Sequence, residues 1–197
     1  QPGISIPTVD RQTEAYSKLR TAFASFGMGT KTGIDLPGEA TGISTPVDKL
    51  DTVSDGGKIL DLAFGQFDTY TTLQLAQYAA TVANGGQRLQ PHIVSGIYGN
   101  DETGGLGSLK SAVEPTVLNE VGLTTDQMKI IQNGFYDAVH GTDAWATATG
   151  LASAKMELSA KTGTAETPIV DENGKTINLV NLNIVAYGPS DDADIAV

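Results

Sequence analysis

Apolar positions along the 197-residue chain follow two different periods, and the change between them divides the sequence. From Thr13 onward Tyr16, Leu19, Ala22, Phe23 and Phe26 recur at three- and four-residue steps, which predicts an amphipathic helix stopped by Gly27. Leu73, Leu75, Ala76, Ala79, Ala80 and Ala83 predict a second helix, with Thr71 or Thr72 as its N-cap and Asn84-Gly85-Gly86 closing it. So much alanine implies a buried helix. A third helix is predicted over 125–139, with Met128, Ile131, Phe135 and Val139 on one face and Thr124 or Thr125 as cap. The last third has period two. Met156, Leu158, Ala160 and Thr162 alternate with Glu157, Ser159, Lys161 and Gly163, the signature of a strand with two distinct faces.

The segments between these elements are less regular. Residues 1–12 are punctuated by proline and predicted extended. Residues 28–58 are rich in Gly, Thr, Pro and Asp and read as a long loop with a short extended piece at 33–36, of the kind that is functional or packed over other elements. An apolar run at 59–65 ends in Gly65. Residues 91–98 read as a strand ending in a Gly-Asn turn, and 99–111 as loop. Asp171 to Lys175 forms a hairpin-like turn, 183–187 a strand, and 188–192 another turn. Ile195-Ala196-Val197 looks like the opening of a further strand, so the domain is expected to continue past it. The class is α+β, with helices first and an antiparallel meander last.

Composition narrows the function. The length suits one domain, and 40% hydrophobic residues with 23 glycines suit a globular chain. No apolar run approaches the ~18 residues that span a bilayer, and Gln1-Pro2-Gly3 does not open a signal peptide. A net charge of −11 repels phosphate backbones, so no nucleic-acid partner is expected. The absence of cysteine removes disulfides, thiolate zinc sites and a cysteine nucleophile. His92 and His140 lack the spacing of a helical metal pair, and neither a metal nor a cofactor is expected.

The candidate chemistry sits in Lys161-Thr162-Gly163-Thr164. A strand lysine supplies a cation to hold a carboxylate or tune a proton. Two hydroxyls can bind an anion. The glycine lets a substrate backbone approach the strand edge, and the N–H near Thr164 can serve an oxyanion. A solvated surface strand would look the same, and the tripeptide alone does not decide: Lys31-Thr32-Gly33 has the same letters between glycines in a loop. Context favours the second copy, which follows a clear alternating strand.

Extended to Lys161-Thr162-Gly163-Thr164-Ala165-Glu166, the segment resembles the third active-site motif of penicillin-binding proteins and serine β-lactamases. Other stretches resemble class B penicillin-binding proteins in the same order. These are Phe26-Gly27-Met28-Gly29 through Glu39, Gly65-Gln66 followed by Thr71-Thr72-Leu73-Gln74-Leu75-Ala76, Asn84-Gly85-Gly86 leading to Pro91-His92-Ile93-Val94, and Asn183 to Pro189 with Ile195-Ala196-Val197. Two departures stand out: Thr72 replaces the family's usual proline, and Ala186-Tyr187-Gly188-Pro189 replaces Gly-Tyr-Ala-Pro. The resemblance runs from about Phe23 to the end. Among class B proteins it resembles the type 2B, elongation enzymes of Gram-positive cocci and lactobacilli.

The resemblance implies the penicillin-binding protein and serine β-lactamase-like transpeptidase fold, an antiparallel sheet flanked by helices. Residues 1–197 would be its C-terminal part, truncated at both ends and lacking the last strand and helix. It implies serine acyl transfer that cross-links peptidoglycan stem peptides, inhibition by β-lactam antibiotics, a place in the cell-wall elongation machinery, and a membrane-anchored parent acting on the extracytoplasmic face. Within it Lys161 serves the proton network and electrostatics, Thr162 and Thr164 contact a carboxylate beside Gly163, and the Thr164 N–H is half of the oxyanion hole. None of the eleven serines has Lys three positions on or Asn two positions on, so the nucleophile motif and its S-x-N companion are absent and this chain alone is expected to be inactive. Tyr98-Gly99-Asn100 fits a Y-x-N variant but reads as a turn. Ser159 and Lys161 are two apart on a strand, roughly 6.6–6.8 Å, too far for a nucleophile and base to bond directly unless the lysine folds back. Two other readings remain: a β-lactamase or penicillin-sensor domain, against which the 28–58 loop and the Gly65–Ala76 stretch speak, and a non-catalytic cell-wall interaction domain on the same fold.

Overall fold

The computed structural model describes residues 9–49 and 57–197. Of the extended segment expected at 1–12, residues 1–8 lie outside the described residues, as does the part of the long loop at 50–56, and residues 9–12 are helical instead. The first helix, α1 (Val9–Ser25), begins four residues before its apolar period does. It closes where predicted: Met28 N–H returns to the Phe23 carbonyl at 3.0 Å, and Gly27 takes φ 95°. A Cβ there would also meet Gln77 Oε1 at 2.3 Å, so glycine is needed twice over. Buried Tyr16 packs on Leu62 of α2 (Lys58–Ala63), with Leu19, Phe23, Val47, Ile59 and Phe67 around them. The apolar run at 59–65 is therefore mostly a short helix, ended by Gly65 at φ 94°.

Helix α3 (Thr72–Ala83) is capped by Thr71 in a reciprocal capping box with Gln74. It is buried as its alanines suggested, but two of its most buried residues are glutamines: Gln74 is 0% and Gln77 6% exposed. Their partners explain this. Gln74 Nε2 donates to the Thr30 carbonyl at 2.7 Å, and Gln77 Nε2 donates to the carbonyls of Thr32 (3.1 Å) and Leu89 (2.7 Å). From the other side Gln90 Nε2 donates to the Gly33 carbonyl at 2.7 Å and Arg88 to that of Lys31 at 3.2 Å. The Glu39 carboxylate accepts the N–H groups of Thr32 and Gly33. Burial opposes the Glu39 charge, but the Thr32 hydroxyl and these two N–H groups outweigh it and hold the carboxyl below its ordinary range. A loop with buried backbone must find partners for it, and here long side chains supply them. Lys31-Thr32-Gly33, with Thr32 fully buried, is thus a packed structural segment.

The middle of the chain contains more strand than the sequence pattern reveals, and the strand expected at 91–98 is met only at 96–98. Residues 91–95 are irregular, and 99–111 is not all loop. β1 (Gln87–Leu89) pairs antiparallel with β4 (Val117–Glu120), and β2 (Gly96–Asn100) with β3 (Leu106–Ala112). Tyr98-Gly99-Asn100 lies within β2 and is not a turn. Most residues of both β2 and β3 are exposed, so no alternation marks them.

Helix α4 (Thr125–His140) has the predicted face and a second capping box, between Thr124 and Gln127. Its Met128 and Phe135 join Ala79 and Val82 of α3 and the sheet residues Val185 and Tyr187. One turn on, Ala138 and Val139 join Ala148, Ala160 and Ala186. The sheet they meet is β5 (Ser159–Val170), β6 (Thr176–Gly188) and β7 (Ile195–Ala196), in that spatial order and antiparallel, the predicted terminal meander. Asp171 makes the β5–β6 turn by accepting from the N–H groups of Asn173 (3.0 Å) and Lys175 (2.8 Å), with Gly174 at φ 76°. The result is α+β.

Candidate active-site wall

Lys161, Thr162, Gly163 and Thr164 lie together on β5, opposite Val185, Ile184, Asn183 and Leu182 of β6. Because the sheet order is β5-β6-β7, the other edge of β5 has no strand partner among the described residues. Alternate N–H and C=O groups therefore point away from β6 along that edge, a template for an extended ligand.

The strand is fixed just before the motif. Ala160 is completely buried against α4 and Ala186. Ser159 Oγ donates to Ser190 Oγ at 2.9 Å, and His140 Nε2 lies 3.0 Å from the Leu158 carbonyl. Ser159 is thereby buried and engaged, while Lys161 is exposed and folds back to donate from Nζ to the Thr162 carbonyl at 2.6 Å. Between Ala160 and Lys161 the environment passes from locked core to solvent. Gly163 and Thr164 are exposed. A Cβ on Gly163 would meet nothing closer than Asn183 Cβ at 3.7 Å, so internal packing does not demand glycine there.

One neighbour of the motif escaped the sequence reading. Thr147 Oγ1 lies 2.6 Å from Thr162 Oγ1. Thr147 belongs to an irregular connection after α4 and carries no motif or periodicity, so only the tertiary contact reveals it. The other lysine copy does not join this surface as a motif, because its backbone is consumed by the Gln77, Arg88, Gln90 and Glu39 contacts.

Residues 11–197 match the family model of the penicillin binding protein transpeptidase domain. The chain belongs to this family. It is 44% identical over 198 residues to penicillin-binding protein 2B of Streptococcus pneumoniae, an alignment covering 100% of this chain and 28% of that protein. It is 40% identical over 188 residues to penicillin-binding protein 2A of Bacillus subtilis, covering 94% of this chain and 25% of the relative. A solved structure of penicillin-binding protein 2B from Streptococcus pneumoniae superposes with a TM-score of 0.86 at 43% identity, covering 100% of this chain and 30% of that one. The chain thus spans less than a third of the length of these relatives. The resemblance read from the ordered motifs, and the transpeptidase fold it implied, hold.

Proposed function

We propose that this segment forms one wall of the active site of a peptidoglycan D,D-transpeptidase, with Lys161-Thr162-Gly163-Thr164 as its third motif. The observation that carries the reading is the placement of these four residues on a solvent-facing edge strand anchored to the core immediately beside them. In this reading a serine elsewhere in the same polypeptide attacks the penultimate D-Ala carbonyl of a stem peptide. The C–N bond to the terminal D-Ala breaks, that residue leaves as the protonated amine, and an ester remains. An amine of a neighbouring stem peptide then attacks the ester and regenerates the hydroxyl. A β-lactam enters by the same first step but keeps its leaving group tethered.

The wall contributes three things. Thr162 and Thr164 donate to the substrate carboxylate, whose charge Lys161 balances. Lys161 also stabilises the charge that develops as the serine proton moves. The Thr164 N–H donates to the oxyanion, and Gly163 leaves room for the ligand chain. Because the chain holds neither S-x-x-K nor S-x-N, it does not acylate by itself. Its parent acts at the extracytoplasmic face of the membrane within the elongation machinery, on stem peptides and β-lactams. The test is Lys161→Ala in a polypeptide that includes this segment and the upstream nucleophile. Acylation by benzylpenicillin should fall about 10²-fold or more, with thermal stability unchanged because the side chain is exposed. An undiminished rate would remove Lys161 from the site.

A further inference from the structure

Thr147 is placed with unusual care for an exposed loop residue. The connection leaves α4 with Gly141 N–H bonded to the Asp137 carbonyl at 2.8 Å and tightens around Asp143, which accepts from the N–H groups of Trp145 and Ala146, each at 3.2 Å. Ala148 then pins it: its N–H donates to the Ala138 carbonyl at 2.8 Å, and its methyl group is buried with Ala160 and Ala186. Ala160 is two residues before Thr162, so the two lie on the same face of β5. The anchor at Ala148 therefore delivers the preceding side chain to Thr162, and the hydroxyls meet at 2.6 Å.

Two hydroxyl oxygens this close share one hydrogen and leave the other free to point outward. We propose that Thr147 is a positioning residue that turns the Thr162 hydroxyl into a directed anion donor. This rests on the transpeptidase reading above, in which Thr162 meets the carboxylate of the ligand. With a carboxylate present the chain runs Thr147 O–H to Thr162 O–H to carboxylate. Thr147 fills the acceptor position of Thr162, aims its hydrogen at the ligand and strengthens it by polarisation. Without Thr147 the Thr162 hydroxyl is free to rotate, and its donor is no longer aimed.

The effect is specific to ligands that carry the anion, which separates it from a merely structural contact. The experiment uses the polypeptide that includes the upstream nucleophile and compares acylation rate constants for a penicillin with its free carboxylate and for its methyl ester. Thr147→Ala should slow the free acid about three- to tenfold and leave the ester rate within about twofold, and Thr147→Ser, which keeps the hydroxyl, should restore the acid rate. Equal slowing of both ligands, no slowing of either, or failure of Thr147→Ser to rescue would overturn the role of Thr147. Absence of acylation in the unsubstituted polypeptide would instead overturn the transpeptidase reading on which it rests.

Discussion

Gly163 separates the demands of folding from those of the site. A Cβ built there lies 3.7 Å from Asn183 Cβ and 3.9 Å from the Asn183 carbonyl oxygen, ordinary van der Waals distances. Its φ is not in the left-handed region. Gly163→Ala should therefore fold without strain and gain about 0.4–1 kcal/mol by restricting the unfolded chain. Gly42 is the contrast: at φ 77° its Cβ would sit 2.1 Å from the Thr69 carbonyl oxygen, so Gly42→Ala forces backbone apart and should destabilise. If Gly163 is glycine to admit a ligand against the strand edge, the added methyl crowds that ligand instead. Overpacking of about 1–3 kcal/mol at a close contact corresponds to a roughly five- to 150-fold slower acylation. The assay pairs urea unfolding with the time course of penicillin adduct formation by intact mass, in a polypeptide containing the nucleophile. A Gly163→Ala variant that is stable and acylates at the unsubstituted rate would refute the reasoning, as would one that unfolds.

Two further predictions concern the packed segment around Lys31-Thr32-Gly33. The Glu39 carboxyl titrates lower in the folded than in the unfolded chain, so its stabilisation is complete above its unfolded value near 4.5 and is lost as pH falls through the lower folded value. Glu39→Gln should flatten that acid limb in denaturation curves measured across the range, and an unchanged limb would contradict the assignment. Gln77→Ala removes the donors to the Thr32 and Leu89 carbonyls. It should cost about 2–4 kcal/mol in chemical denaturation, since two bonds are lost and buried carbonyls are stranded; a change under about 0.5 kcal/mol, typical of a surface site, would be inconsistent.

The parts of this fold legible in the sequence are those where one physical requirement dominates. α4 announces itself through Met128, Phe135 and Val139 and a threonine cap, and the final meander through period-two alternation and the Asp171–Gly174 turn chemistry. β3 does not, and β2 does so only at 96–98 of the strand expected over 91–98, because strands exposed along most of their length impose no alternation. The burial of α3 is legible through its alanines but not through its glutamines. Gln74 and Gln77 are not among the apolar residues that mark the helix, and their burial follows only once the carbonyls of Thr30 and Thr32 are placed against them. The same holds at the site: Lys161 to Thr164 are recognisable as a contiguous motif on a strand, whereas Thr147 is joined to them only by the burial of Ala148 against Ala160.

In the proposed reading this segment carries the third-motif wall and depends on a nucleophile outside its 197 residues. Intact mass after incubation with benzylpenicillin tests it most directly, on this chain and on a longer polypeptide that contains it together with the proposed nucleophile. No adduct is expected on the chain alone, and one adduct on the longer polypeptide. An adduct on the chain alone would place a nucleophile within these residues, and none on either would favour a cell-wall interaction domain over an enzyme.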